Sequence, residues 1–403
     1  MNGNAYIPFM RSRGDGSTLN LDFTGGSLDP RVVLTRSAAT ATYINSSGYV
    51  ASAAVNEARF DYDPTTLAAK GLLIEGSATN YLLRSTTCTS TGWNTGGTVT
   101  VTTSYATGPD GVSNSATRFQ MNHSGGGTGR IYQDSGFTTK PYTNSVWIKS
   151  NTGSNQTLNL WNTAGSGNTF TITATPTWQR FENVNTTGTS LAGYFYLENP
   201  STNPAVVVDV LIYGAQLEAG TSASSYIPTT TAQVTRNPDL ALMTSTNFSS
   251  WYTGGTTGTF FVDFHGGVRG ITSTIRTVIS TNDQTTKHLH LQQASAAGVL
   301  KVADFGAAHS VSTANTITSG ARTKGAFNFD GATTTVNLCL NGGTVATSSA
   351  LAFSVAPTWL ALGATSTDGS TLTDLTTVLN GSIRQIKYYP TALTSAQLIA
   401  MTT

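Results

Sequence analysis

Short strand-like runs separated by turn-forming residues are the feature that most restricts the fold of this chain. Between residues 145 and 197 five such runs follow one another, with Gly, Asn, Ser and Pro between them: 145–149, 158–161, 170–173, 178–181 and 194–197. No helical periodicity accompanies them. This rhythm is typical of jelly-roll β-sandwiches. We therefore predict an all-β protein.

The low charge content agrees with many short strands. Only 10% of the residues are charged, compared with roughly 25% in average soluble proteins. Thr, Ser, Asn and Gly must therefore form most of the surface, and these residues favour strands and tight turns. The 38% hydrophobic content and the spaced aromatic residues argue against a disordered chain.

Charge and hydropathy also exclude two classes of partner. The net charge is +1, and its basic and acidic residues are spread evenly along the chain. No cluster of Lys and Arg is available for a phosphate backbone or an anionic membrane. No uninterrupted apolar stretch approaches ~20 residues. We expect neither nucleic-acid binding nor membrane insertion.

The strand-like runs divide the chain into three regions. We predict a β-rich leader over residues 1–85, a jelly-roll β-sandwich over 86–236 and a second β-sandwich over 237–403. One short helix is expected near the end, over Ser395 to Met401, with Thr394 as its cap and Leu398 facing inward.

A domain junction is predicted after the apolar run at residues 206–212. This run is apolar on both faces except at Asp209, as expected for a central strand, and Gly residues at 214 and 220 bracket the point where it would leave the sandwich. Gln216 and Glu218, two residues apart, would point to one side and accept donors from the adjoining segment. Arg236 is a candidate donor.

No catalytic residue and no metal ligand is assigned. Retaining glycoside hydrolysis needs two carboxyl groups ~5 Å apart, yet the last glutamate is Glu218. Asp61 and Asp63 precede a proline and are interpreted as turn-formers. His288 and His290 alternate, but no third metal ligand lies near them in the sequence.

Sugar binding is the more specific functional hypothesis for the sandwiches. Aromatic rings stack on sugar rings, while amides and carboxylates bind sugar hydroxyl groups. Trp93 and Trp161 adjoin turn-forming residues and are the main candidates for exposed rings, followed by Tyr132. Packing in the core or in an interface is the alternative for these residues, since buried Trp is the ordinary case.

Several stretches resemble known proteins. The leader resembles that of a group of bacteriophage virion proteins through residues 28–37, 41–43, 59–64, 71–75 and 79–83. The linker that ends the middle domain in the same group is similar to residues 214–220, 225–228 and 234–236. Residues 340–342, 379–383 and 388–394 are similar to the closing strands of concanavalin-A-like, laminin-G-type sandwiches.

The resemblance implies a phage virion surface protein of the fibre or decoration type, assembled in the host bacterial cytoplasm. Its leader would anchor it to other virion proteins, and its carbohydrate-binding-module-like and laminin-G-like sandwiches would project for host adhesion. A homo-oligomer is expected, with a trimer implied by the resemblance alone. A receptor-binding tail protein with specific glycan recognition is the alternative, and a polysaccharide depolymerase a further one.

The resemblance bears on cofactors only through calcium. Laminin-G-like sandwiches often hold a Ca²⁺ at the rim, which leaves open a structural ion at Asp263, Asp283 or Asp368. No other cofactor is expected.

Overall fold

The computed structural model describes residues 14–37, 41–123, 127–137, 141–162, 169–185, 193–266, 275–282, 288–294, 298–305, 310–318, 320–349, 357–366, 368–372 and 377–403. These residues form strands, turns and two short helices, which confirms the all-β prediction.

The first part of the chain contains seven short strands among its described residues. They are β1 (Leu19–Asp22), β2 (Val33–Thr35), β3 (Ala41–Ile44), β4 (Val50–Ala53), β5 (Phe60–Tyr62), β6 (Ala69–Ile74) and β7 (Ala78–Asn80). Strands β3 and β4 form the hairpin that the turn signals between them indicate.

The next ten strands form two facing five-stranded sheets, which together are called the middle sandwich. They are β8 (Asn94–Gly96), β9 (Thr98–Ala106), β10 (Ala116–Asn122), β11 (Arg130–Asp134), β12 (Tyr142–Ser150), β13 (Gln156–Trp161), β14 (Thr169–Ala174), β15 (Gln179–Asn185), β16 (Tyr194–Glu198) and β17 (Val208–Ala219). The sheet orders are β15-β12-β17-β10-β9 and β14-β13-β16-β11-β8. Residues such as Phe119, Ile148, Leu160 and Phe195 fill the core between them.

The remaining elements belong mainly to a second, larger sandwich. They are β18 (Val234–Arg236), β19 (Leu240–Thr244), α1 (Ser245–Ser249), β20 (Thr257–His265), β21 (Arg276–Asn282), β22 (His288–Ala294), β23 (Val299–Phe305), β24 (Ser310–Thr316), β25 (Arg322–Asp330), β26 (Thr335–Leu340), β27 (Ala346–Ser348), β28 (Trp359–Leu362), β29 (Gly381–Tyr389) and α2 (Ser395–Thr402).

Strands from the first 85 residues complete both sheets of this large sandwich. One sheet has the order β27-β26-β25-β20-β29-β6-β5, with β1 also paired to β29, and the other has the order β2-β19-β28-β21-β22-β23-β24. The strand pairing thus crosses the boundary that the sequence suggests at residue 85. The physical reason is burial, because Leu19, Leu21 and Phe23 are almost completely buried and strands this short cannot enclose a core by themselves.

Strand β17 lies at the centre of its sheet, between β12 and β10, as the apolar run predicts. It does not leave the sandwich at Gly214, however. Gly214 has a φ of 67° and lies at a bulge in the pairing with β12, and the strand continues to Ala219. A glycine in this conformation absorbs the irregularity of a bulge, so pairing resumes beyond it.

Both helices are short, and the second follows the sequence prediction closely. Thr394 caps α2, its hydroxyl accepts a hydrogen bond from the Gln397 amide, and Leu398 is buried. Neither of the helices found in the described residues is long and apolar enough to cross a membrane.

Candidate functional site

Alternation along three neighbouring strands directs one set of polar and aromatic side chains outward from the middle sandwich. In β16, Phe195 and Leu197 are buried in the core, while the residues between and beside them are half-buried. Strands β11 and β13 alternate in the same way. We call the resulting surface the aromatic face; it consists of Arg130, Tyr132, Asp134, Asn159, Trp161, Tyr194, Tyr196 and Glu198.

The register of the sheet places three aromatic residues in one row. Tyr196 of β16 pairs with Tyr132 of β11 on one side and with Trp161 of β13 on the other. The row spans two interstrand spacings, about 10 Å. Trp161 and Tyr132, both candidates from the sequence, therefore lie on one surface.

The tyrosines of this row pack against one another. The rings of Tyr132 and Tyr196 are stacked, with centroids 4.8 Å apart and planes at 10°, and Tyr194 lies 5.6 Å from Tyr196. The Arg130 guanidinium lies 5.6 and 5.8 Å from the rings of Tyr132 and Tyr196. Because the two rings are stacked, each covers one face of the other.

Trp161 is held differently. Its indole Nε1 donates to Glu198 Oε1 at 2.7 Å, and Asn159 donates to the same oxygen at 3.3 Å. Among the described residues its ring stacks on no other ring, and Glu198 Oε2 accepts no hydrogen bond. The carboxylate thus fixes the indole orientation and keeps one oxygen available, which is a preorganised arrangement.

The next row of the face holds one basic, one acidic and one neutral polar side chain. Arg130 pairs in register with Glu198, and Glu198 with Asn159. At the other end, the hydrogen bond with Asp134 raises the pKa of Tyr194, and burial raises the pKa of Tyr196. Both phenols remain neutral hydroxyl groups at neutral pH, able to donate and accept.

Trp93 does not belong to this face. Its indole Nε1 donates to the Leu83 carbonyl at 2.8 Å, and its ring meets Phe195 edge-to-face at 5.4 Å. Trp93 therefore packs at the end of the core, which is the alternative that the sequence leaves open.

The junction residues lie where β17 meets the linker. Gln216 and Glu218 are almost completely buried, and Glu218 accepts hydrogen bonds from Gln216 Nε2 at 2.8 Å and from the Ser224 amide at 2.6 Å. Burial raises the pKa of Glu218. Arg236 pairs instead with Glu75, at 2.9 Å.

Glu75 and Arg236 are part of what we call the buried charge cluster, which consists of Arg36, Arg59, Glu75, Arg236 and Asp239. Arg59 contacts Glu75 at 2.6 Å and Asp239 at 2.5 Å, and Arg36 contacts Asp239 at 2.8 Å. The cluster ties the leader to the linker and to the first residues of the large sandwich. Sequence spacing gives no signal for it, because its members are up to 203 residues apart.

The aspartates that the sequence singles out have separate roles. Asp63 accepts hydrogen bonds from the Thr65 and Thr66 amides and is a turn-former, as predicted. Asp61 is not a turn-former, because it lies in β5 and this strand pairs with β6 through this position. Its side chain accepts a hydrogen bond from the Ile44 amide at 2.9 Å.

The residues suggested for calcium are also engaged. Asp263 pairs with Arg322 and Arg384, Asp368 accepts from the Ser370 and Thr371 amides, and Asp283 lies outside the described residues. No three or more His, Cys, Asp or Glu side chains in the described segments lie close enough together to hold a metal ion.

Six members of the aromatic face were not named from the sequence: Arg130, Asp134, Asn159, Tyr194, Tyr196 and Glu198. In the run 194–198, Tyr, Tyr and Glu alternate with Phe and Leu. This period of two is the signal that could have placed Tyr196 and Glu198 on one side of the strand.

No family model matches the chain, and no curated protein matches it. Similar solved structures include a Ruminococcus gnavus IT-sialidase CBM40 bound to α2,3 sialyllactose, with 20% identity, 38% of this chain and 86% of that chain covered, and a TM-score of 0.32. A leech intramolecular trans-sialidase complexed with 2,7-anhydro-Neu5Ac has 19% identity, coverage of 38% and 24%, and a TM-score of 0.31. A heptameric SAP-like pentraxin from Limulus polyphemus has 12% identity, coverage of 37% and 70%, and a TM-score of 0.30.

Proposed function

We propose that this chain is an adhesion protein that binds glycans through the aromatic face of its middle sandwich. The observation that carries the proposal is the row of Trp161, Tyr196 and Tyr132 beside Glu198 and Arg130. It combines an indole ring with hydroxyl, carboxylate and guanidinium groups on one outward surface.

The arrangement matches the chemistry of sugars. A sugar ring has an apolar face that can pack on the Trp161 indole, and its hydroxyl groups can both donate and accept hydrogen bonds. Glu198 Oε2 would accept from a hydroxyl, while Arg130 would donate to one. The row length of about 10 Å suits two or three sugar units more than one.

A glycan array with the full chain, followed by calorimetric titration of the strongest ligand, tests this function. The full chain is required because β1, β2, β5 and β6 complete the large sandwich. Trp161→Ala should weaken binding about tenfold or more, which corresponds to ~1.4 kcal/mol. Glu198→Gln should also weaken binding, because its amide keeps one accepting oxygen for the indole and replaces the second, which would accept from a sugar hydroxyl, with a donor.

Tyr105→Ala is the matched control. Tyr105 is 41% exposed and lies on β9, in the other sheet of the same sandwich. Its replacement should leave the affinity unchanged. A folded protein that binds no glycan, or an equal loss in the Trp161 and Tyr105 variants, would refute the proposal.

We further propose that the chain acts on a bacteriophage virion, as a fibre or decoration protein, and that it binds without turning over its ligand. The support for the virion is the sequence resemblance of the leader and linker. Immunogold labelling of intact particles would locate the chain, and particles without label would contradict a place on the virion.

The oligomeric state and the absence of turnover have their own tests. Sedimentation as a monomer at micromolar concentration would contradict the expected trimer. Release of reducing ends from host polysaccharide would contradict binding without turnover.

A further inference from the structure

A cleft separates the middle sandwich from the large one, on a side of the molecule that the aromatic face does not use. Its volume is about 310 Å³. The hairpin β3–β4 and strands β5 and β6 border it, together with β12, residues 223–226 and the end of β20. This volume lies at the lower end of the range for small-molecule sites, roughly 300–1,000 Å³.

Aromatic residues form part of the walls. Trp147 and Tyr226 are 5% and 2% exposed, and Tyr43 is half-buried beside them. The Tyr226 hydroxyl is already bound to Ser85 at 2.7 Å and to Thr86 at 2.9 Å. The ring of Tyr226 is therefore the part that remains for the cleft.

Several polar groups that line the cleft have unused hydrogen-bonding capacity. Trp147 Nε1 and His265 Nδ1 are buried and have no partner in the described part of the chain. Lys70 Nζ lies 3.8 Å from Asp61 Oδ2, which is too far for a hydrogen bond. Asp61 Oδ1 accepts a hydrogen bond from the Ile44 amide, and Oδ2 accepts none from the residues that the structure describes.

Two basic and two acidic side chains line the cleft. Lys70 and Arg180 are opposed by Asp61 and Glu75, and Glu75 is bound by Arg59 and Arg236. Burial and the nearby cations Lys70 and Arg384 lower the pKa of His265 to about 4, against the opposing effect of Asp263. His265 is therefore neutral at pH 7, and neither an anion nor a cation would be strongly preferred.

We propose that this cleft is a second binding site, for a single neutral monosaccharide unit. The unused groups include donors at Lys70 and Trp147 and an acceptor at Asp61, a mixture that suits hydroxyl groups, which both donate and accept. The aromatic walls suit the apolar side of a sugar ring, and the volume admits one ring. This inference does not depend on the aromatic face.

Titration of the full chain with D-glucose, D-galactose, D-mannose and N-acetyl-D-glucosamine, followed by saturation-transfer NMR and calorimetry, tests the site. At least one sugar should bind saturably at millimolar concentration. Lys70→Met removes the ammonium group but keeps the aliphatic stem, and should weaken binding about tenfold. Ala223→Leu narrows the cleft without removing a polar group and should weaken binding by a similar factor.

Two controls separate this site from the aromatic face. Lys149→Met makes the same chemical change on β12, outside the cleft, and Trp161→Ala removes the indole of the aromatic face; neither should change monosaccharide affinity by more than about twofold. The inference is overturned if the folded protein binds none of the four sugars. It is also overturned if binding survives both cleft variants, or is lost with Trp161→Ala.

Discussion

Replacing Glu75 by glutamine tests the buried charge cluster most directly. The substitution keeps the size and shape of the side chain and removes its charge. Arg59 and Arg236 both lose a carboxylate at 2.6 and 2.9 Å, which leaves Asp239 as the one carboxylate of the cluster, facing three arginines.

The loss of the Glu75 charge should cost several kcal/mol of folding free energy. Burial by itself would raise the pKa of Glu75, but Arg236, Arg59 and the hydrogen bonds from Ser225 outweigh it and lower the pKa from 4.5 to about 2. That difference corresponds to roughly 3 kcal/mol. Removing one partner of a buried ion pair typically costs about 3–5 kcal/mol. We expect a loss of at least ~3 kcal/mol in the free energy of unfolding.

The same pKa gives the pH dependence. Since the pKa of Glu75 is lower in the folded state, its contribution is fully present above pH 4.5 and is lost as the pH falls towards about 2. Glu75→Gln lacks this contribution at every pH. Its stability should therefore change less than that of the original chain between these two pH values.

Urea denaturation at pH 7 measures the effect, and hydrogen exchange in β6 and β19 assigns it to the part of the chain that holds the cluster. Asp15→Asn is the control, because Asp15 pairs with Lys387 at the surface, with side chains 39% and 23% exposed. Asp15→Asn should lower the free energy of unfolding by less than about 1 kcal/mol. Equal effects of the two substitutions would refute the reasoning.

Three further predictions concern the fold. A Cβ at Gly71, which has a φ of 98°, would overlap the Ile383 carbonyl. Gly71→Ala should therefore lower the free energy of unfolding, measured by denaturation, by at least ~2 kcal/mol. Gly153 also has a positive φ but lies in open space, so Gly153→Ala should lower it by about 1 kcal/mol. Thr394→Ala should cost ~1 kcal/mol by the same assay, because α2 loses its cap; no measurable change would contradict that role. Burial raises the pKa of Cys88 to about 12, so a thiol reagent should modify it only in urea; rapid modification of the native protein would contradict its burial.

Local features of the fold could be predicted from the sequence, and long-range ones could not. The cap at Thr394 and the central position of the strand after residue 206 follow from neighbouring residues. The partners of a strand are different, because β1 pairs with β29 through Leu19 and Tyr388, and no local pattern specifies a partner so far along the chain.

The same limit applies to the candidate site. Trp161 and Tyr132 could be selected one by one, as aromatic residues near turns or in strands. Their place in one row depends on β16 lying between β13 and β11, which is a property of the whole sheet. Trp93 has the same local signal as Trp161, and only the packing of its ring on Phe195 distinguishes it.

The pairing of β1 with β29 has a consequence for synthesis on the ribosome. The middle sandwich lies between these strands in sequence, so its own sheets can form while the large sandwich still lacks its last strand. Leu19, Leu21 and Phe23 then stay exposed to solvent until residues 381–389 have been synthesised and can pair with β1. A chaperone that binds apolar segments of nascent chains would therefore be expected to bind β1 for longer than the strands of the middle sandwich.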